Sequence, residues 1–324
     1  MARSRSTRQL LLVGSLALAG LLVSGCSADD LPRFGWPTGQ TPQALRMQHF
    51  WSWTFIAALC IGVGVWGLMF WTFAFHRKKK NSPLYPKQTK ENLPLELVYT
   101  AVPFVMVAVL FYFAVTTENF VLKKVAHPDV NVNVTAFKWG WDFSYEGTIA
   151  PDSQPCTAID PFACEVHTTG TATEVPIMIL PVQKTIQYRL QSKDVIHSFW
   201  VPDFLFKRDV FPDPAANNTD NTFQNSITNP IAMVGRCAEL CGTYHSSMNF
   251  EVRGVPQNVY DEYIKLRESK NPASGKGYTT AEALMKTGND IPSCGKLCSP
   301  LSTTTYPINP NREAKSASLN TTGN

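Results

Sequence analysis

Residues 237–248 read Cys237-Ala-Glu-Leu-Cys241-Gly-Thr-Tyr-His245-Ser-Ser-Met248. Two thiols, an imidazole and a thioether in one short stretch make a soft donor set that suits copper, whereas zinc and calcium sites seldom include a thioether. A single blue-type copper needs one Cys, two His and a weak axial Met. Here there are two cysteines, four positions apart in a tight loop, so both sulfurs can aim at one point and bridge a pair of copper ions. A bridged pair shares its charge, and one electron more or less changes each bond little. The second imidazole has to come from elsewhere, and His197 in Val195-Ile-His197-Ser-Phe-Trp-Val-Pro202 is the candidate. The competing reading of Cys237 and Cys241 is a disulfide, which the spacing permits and an exporting compartment favours. Cys294-Gly-Lys-Leu-Cys298 is an internal control: with the same spacing but no His or Met beside it, it reads as the disulfide.

The chain has 324 residues, is 44% hydrophobic and carries a net charge of +4, enough for one or two domains with a real core. Residues 127–256 hold 8 Lys and Arg against 14 Asp and Glu, a net of −6, while the first 126 residues are strongly basic. Such asymmetry is expected when different parts face different partners, and no nucleic-acid partner is expected.

Arg3, Arg5 and Arg8 precede an apolar run at residues 10–23, too short to span a bilayer but matching a secretory signal. Leu22-Val-Ser-Gly-Cys26-Ser resembles a bacterial lipobox, so residues 1–25 are expected to be removed and Cys26 lipidated; an ordinary signal peptide with an incidental Cys is the alternative. Residues 50–75 carry no charge over 26 positions, with Trp51, Trp53 and Trp71 near the ends, as in a tilted membrane helix. Arg77, Lys78, Lys79, Lys80, Lys87 and Lys90 follow and make this loop cytoplasmic by the positive-inside rule. A second uncharged run, 97–115, returns the chain across the bilayer, with a kink expected at Pro103. The expected unit is a hairpin of helices at about 50–75 and 95–116 within residues 26–126, embedded in membrane lipid, with both outer ends outside. Cys60, inside the first span, reads as a packing residue.

An early His followed by Cys, His and Met is the order in which cupredoxin barrels collect copper ligands. The Cys-x-Glu-x-Cys-x-x-x-His-x-x-Met run and the upstream Val-Ile-His-Ser-Phe resemble subunit II of haem–copper cytochrome c oxidases, here in a bacterial lipoprotein form. The resemblance covers residues 48–265. It implies a dinuclear CuA centre in which Cys237 and Cys241 bridge both ions, His197 and His245 each bind one, and Met248 and the Glu239 carbonyl complete the two spheres. It also implies that the Glu239 carboxylate reaches a magnesium ion shared with subunit I. Asn92-Leu-Pro-Leu-Glu96-Leu-Val-Tyr-Thr-Ala-Val-Pro103 is similar to the family segment whose Glu stands at the mouth of a proton pathway, so Glu96 is expected there; the residue-level alternative is an interfacial cap. In Lys138-Trp139-Gly140-Trp141-Asp142-Phe143, Trp139 matches the family's electron-uptake tryptophan above the copper. The family usually has a bulky aromatic where this chain has Gly140. Without the resemblance, tandem tryptophans on a strand read as core; with it, Asp142, beside Trp141, is the acidic residue nearest the implied entry point and is expected to steer the donor.

Residues 127–256 are expected to form the cupredoxin-like Greek-key barrel, with strands near 130–136, 175–180, 185–190, 195–201, 231–236 and 249–253. Residues 146–174 read as a loop or hairpin insertion closed by a disulfide. With Cys26, Cys60 and the copper pair set aside, three connectivities are open for the other four thiols, the favoured one being Cys156 with Cys164 and Cys294 with Cys298. Residues 212–229 read as a long surface loop, and Phe206-Lys207-Arg208-Asp209 resembles the family's Lys-x-Asp at the subunit I interface. Residues 257–324 are expected to be a helical segment, with helical spacing over 259–266 and a capping box at Thr279-x-x-Glu282, and a polar tail from Ser299. His49, His76, His127 and His167 receive no role.

The implied protein is a multi-pass subunit of the bacterial plasma membrane with its copper domain on the outer face. With oxidase subunits I and III, it takes electrons from a soluble or tethered c-type cytochrome and passes them to haem in subunit I, where oxygen is reduced to water and protons are translocated. No Cys-x-x-Cys-His occurs, so haem is expected in the partner subunit alone. A quinol-oxidase counterpart lacks these copper ligands, and the copper domain of nitrous oxide reductase follows a propeller for which there is no room. A copper-storage or metallochaperone membrane protein would share the soft ligands without needing Glu96 or the tandem tryptophans.

Overall fold

A computed structural model describes residues 33, 35–85, 88–158, 160–170 and 174–304. Cys26 and the signal segment lie outside the described residues, as do Lys87 and the polar tail beyond residue 304. The chain divides into two units, residues 48–106 being the described helical one from position 48 on, and residues 39–47 with 107–304 the other.

Helix α1 spans Pro42–Phe75 and α2 spans Leu93–Val121. Both outrun the expected limits of 50–75 and 95–116, because an uncharged run measures the length immersed in lipid while the backbone ladder continues into polar flanks. Local signals set the starts. Thr41 caps α1, its Oγ1 accepting from the Ala44 N–H at 3.0 Å, and Pro42 supplies the preset φ of a first helical residue. Asn92 caps α2, with Oδ1 accepting from the Leu95 N–H at 3.3 Å. Val65, Trp66, Leu68, Phe70, Trp71 and Phe73 are all exposed, although they point to every side of α1. A helix that is apolar all round needs an apolar solvent, as a membrane span does. Cys60 is likewise exposed.

The second unit is a two-sheet β-sandwich. Among the described residues its ten strands are β1 (Val130–Phe137), β2 (Gly140–Tyr145), β3 (Val166–Thr169), β4 (Ile177–Pro181), β5 (Ile186–Ser192), β6 (His197–Val201), β7 (Phe206–Val210), β8 (Thr222–Asn225), β9 (Ile231–Cys237) and β10 (Asn249–Val255). They lie in the orders β3-β2-β1-β5-β8 and β4-β10-β9-β6-β7. β1 runs parallel to β5 and β10 parallel to β4, the other pairs being antiparallel. This is the Greek-key, cupredoxin-like arrangement. One strand falls where a loop was expected, β8 cutting through the polar 212–229 segment; β7, an edge strand, had no expected element, and β3 lies inside 146–174, which was read as a loop or hairpin insertion. β7 and β8 are short and carry few apolar residues, so the hydrophobic pattern is weak there.

Between the sheets, Phe143, Trp141, Tyr188, Phe199, Phe223 and Phe250 form an aromatic core. β10 is buried at all seven positions because both its faces are covered. Phe250 and Val252 face the aromatic core, and Val255 faces a second one with Ile177, Ile179, Val259, Tyr263 and Leu284. That second layer is built by α3 (Gln257–Arg267) and α4 (Thr280–Asp290), the latter started by the reciprocal Thr279–Glu282 capping box. Disulfides join Cys156 to Cys164 and Cys294 to Cys298.

The outer face of β10 also holds a fully buried ion pair, Arg253 Nε to Glu251 Oε1 at 2.7 Å. Arg253 donates to the carbonyls of Leu297, Ser299 and Leu301. Glu251 Oε2 accepts from the Ser302 hydroxyl and the N–H groups of Thr303 and Thr304. Residues 299–304, read from the sequence as the start of a free polar tail, are thus tied down over the pair.

Candidate metal centre

The loop between β9 and β10 carries the soft donors, and β6 brings His197 to them. Antiparallel pairing of β6 with β9 sets Phe199 opposite Cys237, which places His197, two residues along, at the mouth of the loop. The His197 Nδ1 lies 3.8 Å from Cys237 Sγ, and the two sulfurs are 3.9 Å apart. Cys241 Sγ is 3.5 Å from His245 Nδ1 and 3.4 Å from Met248 Sδ. The Glu239 carbonyl is 3.2 Å from Cys237 Sγ. His197, Cys237 and Cys241 offer donor atoms within 4.8 Å of one another, all buried. The sulfur separation is far too long for a disulfide. It fits two sulfurs sharing a metal ion, since two metal–thiolate bonds of about 2.3 Å reach about 4.6 Å.

Burial and the neighbouring Cys237 push the Cys241 thiol up to about 12. Two anionic sulfurs this close need a cation to coexist, and cation binding must displace thiol protons. The donor set therefore fits a soft, thiophilic metal such as copper.

The loop is braced by the two tryptophans that flank Gly140. Trp139 Nε1 donates to the Cys241 carbonyl and Trp141 Nε1 to the Met248 carbonyl, each at 3.1 Å. Trp141 is thus core, as tandem tryptophans usually are, yet it also anchors the Met248 end. Trp139 is half-buried. A Cβ at Gly140 would come within 2.8 Å of the Phe137 ring, so a larger residue there needs that ring to shift.

Asp194 was missed by motif reading. Its Oδ1 lies 2.9 Å from His197 Nε2, and its Oδ2 accepts from the Lys138 N–H at 2.7 Å. Burial would raise this carboxyl, but the bonds to His197 and the amides of Lys138 and Val195 outweigh it and hold it low. With Nε2–H given to Asp194, Nδ1 keeps its lone pair for a metal. The available signal was an Asp three residues before the ligand histidine.

Asp142 is a correction. It is buried, not displayed to a donor: Oδ2 is 2.8 Å from His167 Nδ1 and Oδ1 accepts from the Thr169 hydroxyl. Burial raises its carboxyl, and the His167 and Thr169 bonds with the charge of Lys193 more than reverse this. His167, which had received no role, holds Asp142 on one side and the Phe162 carbonyl at 2.8 Å on the other. The Asp142 bond raises the His167 imidazole above its ordinary value.

Glu239 is exposed at the loop surface while its carbonyl faces inward. Lys207 and Asp209 pair at 3.2 Å on edge strand β7. Glu96 sits in the first turn of α2, with Oε1 accepting from the Asn92 N–H at 2.9 Å. It thereby completes the helix cap in the isolated chain.

Two apolar helices and a cupredoxin-like domain with a buried thiol, imidazole and thioether cluster define a membrane-anchored copper-type electron carrier. Residues 130–255 match the family described as cytochrome c oxidase subunit II, periplasmic domain, and residues 32–116 match its transmembrane domain. A probable cytochrome c oxidase subunit 2 from Nocardia farcinica is 45% identical, covering 97% of this chain and 92% of that protein. The cytochrome c oxidase subunit 2 of Corynebacterium glutamicum is 40% identical over 98% of this chain and 97% of that one. Among solved structures, the periplasmic domain of subunit II of the Bradyrhizobium japonicum oxidase is 24% identical with a TM-score of 0.33, covering 44% of this chain and 95% of that one. The chain belongs to the cytochrome c oxidase subunit II family. It is an electron-transfer subunit of that oxidase, a membrane protein with a periplasmic domain that works beside other oxidase subunits.

Proposed function

We propose that a dinuclear CuA-type copper pair would be held here by Cys237 and Cys241 as shared thiolates, by His197 and His245 as imidazole ligands, and by Met248 and the Glu239 carbonyl as weak donors. The contacts that tie His197 and the Glu239 carbonyl to Cys237, and His245 and Met248 to Cys241, with the two sulfurs 3.9 Å apart, support this reading. Bound there, the pair supplies a one-electron carrier whose charge is shared over both ions. Trp139 receives electrons from a c-type cytochrome and hands them through its bond to the Cys241 backbone. The acceptor is haem in subunit I, where oxygen is reduced to water with proton translocation. The exposed Glu239 carboxylate holds magnesium at the subunit I boundary, and subunit III completes the assembly. The chain crosses the bacterial plasma membrane twice, with Cys26 as lipid anchor. The signal segment 1–25, hairpin 26–126, copper domain 127–256 and C-terminal segment 257–324 are its parts.

Stripping copper with a chelator is expected to abolish oxidation of reduced cytochrome, and adding copper back to restore it. Because two thiol protons are displaced, recovery should weaken as pH falls, by about tenfold in affinity per pH unit for each proton released. Recovery independent of pH, or activity without copper, would contradict the reading.

Glu96 combines its cap with a place at the mouth of a proton pathway. Glu96→Gln keeps an acceptor for the Asn92 N–H but cannot carry a proton, so turnover is expected to slow with copper content unchanged. Oxygen consumption equal to the parent's across the pH range would remove Glu96 from proton uptake.

A further inference from the structure

Tyr244 lies outside the donor set, yet it is adjacent to His245 and its ring meets Trp139 edge-on, with centroids 4.9 Å apart and planes at 81°. Two other groups hold the same indole. The Cys241 carbonyl accepts from Nε1 at 3.1 Å, and Gly242 lies against the ring at φ +116°, where a Cβ would stand 3.1 Å from Cζ2. Both of those are backbone groups of the ligand loop. Tyr244 adds a side chain to them, and at 55% exposure it forms the outer layer over Trp139. The Trp139 indole and the segment from Cys241 to His245 therefore hold each other, with Tyr244 closing the clasp on the solvent side.

We infer that Tyr244 is a positioning residue for electron uptake: it keeps the Trp139 indole seated on the ligand loop, hydrogen-bonded to the Cys241 carbonyl. This rests on Trp139 as the uptake residue. An edge-to-face pair of this kind biases a ring between seated and free by about two- to tenfold. The aromatic ring is what matters, because the contact is made by the ring and no bond from the hydroxyl is needed for it.

The test compares Tyr244→Ser, Tyr244→Phe and Trp139→Ala in the intact oxidase. One reading is the rate of cytochrome oxidation inside a preformed complex with a reduced soluble c-type cytochrome. A second uses the copper-free full-length chain: acrylamide quenching of Trp139 emission, obtained as the difference from a Trp139→Phe counterpart. Tyr244→Ser is expected to slow transfer roughly two- to tenfold and to raise quenching of Trp139, with copper content and docking affinity unchanged. Tyr244→Phe, which keeps the ring, should rescue both. Unchanged quenching in Tyr244→Ser, or loss of its copper, overturns the inference. Should Trp139→Ala itself transfer at the parent rate, the uptake reading falls, and the quenching result still decides whether Tyr244 seats the indole.

Discussion

Cys241→Ser is expected to lose the copper pair and with it nearly all oxidation of reduced cytochrome, whereas Met248→Leu should retain copper and transfer electrons at a shifted potential. Cys241 Sγ is the hub of the cluster: it approaches Cys237 Sγ at 3.9 Å, His245 Nδ1 at 3.5 Å and Met248 Sδ at 3.4 Å. A serine oxygen is hard, stays protonated and cannot replace a bridging thiolate. Met248 touches the cluster through one sulfur and is the kind of weak donor that tunes potential rather than holds the metal. Metal analysis and cytochrome oxidation on both variants check the contrast. Equal copper retention in the two would remove Cys241 from its bridging place.

The largest effect on stability is expected at the ion pair on the outer face of β10. Arg253→Ala leaves Glu251 as a buried carboxylate without its cation and releases the carbonyls of Leu297, Ser299 and Leu301. Breaking a buried pair from one side costs about 3–5 kcal/mol. For a domain of this size that lowers the melting temperature by about 6–20 °C. The double change Glu251→Leu with Arg253→Met should cost less, since no unpaired charge remains. Burial would raise the Glu251 carboxyl, but Arg253 and the donors from residues 302 and 304 hold it below its ordinary value. Its contribution is present above the ordinary carboxylate range and is lost as pH falls through the lowered value, so the parent should destabilise in acid more steeply than the double variant. Thermal unfolding followed by circular dichroism over a pH series checks both statements. A melting temperature for Arg253→Ala within a degree or two of the parent's would contradict the first.

The donor types were legible because Cys237, Cys241, His245 and Met248 are close in sequence, and the chemistry of such a set survives any detail of folding. His197 was reachable through the order of ligands, and strand pairing supplies the physical link, Phe199 lying opposite Cys237. The membrane spans were legible from uncharged length, their ends only from the caps at Thr41 and Asn92. What alternation along a strand cannot say is what lies over its outer face. Glu251 and Arg253 are charged yet buried, because residues 297–304 return from farther along the chain and supply their partners. Asp142 was misplaced for the same reason: a single strand does not announce that β3 will set His167 and Thr169 beside it.

The most direct measurement is the copper content of the purified full-length chain together with its electron paramagnetic resonance spectrum. The account predicts about two copper ions per chain and the spectrum of one unpaired electron shared equally between them. One copper per chain with the spectrum of an isolated blue-type ion would contradict it.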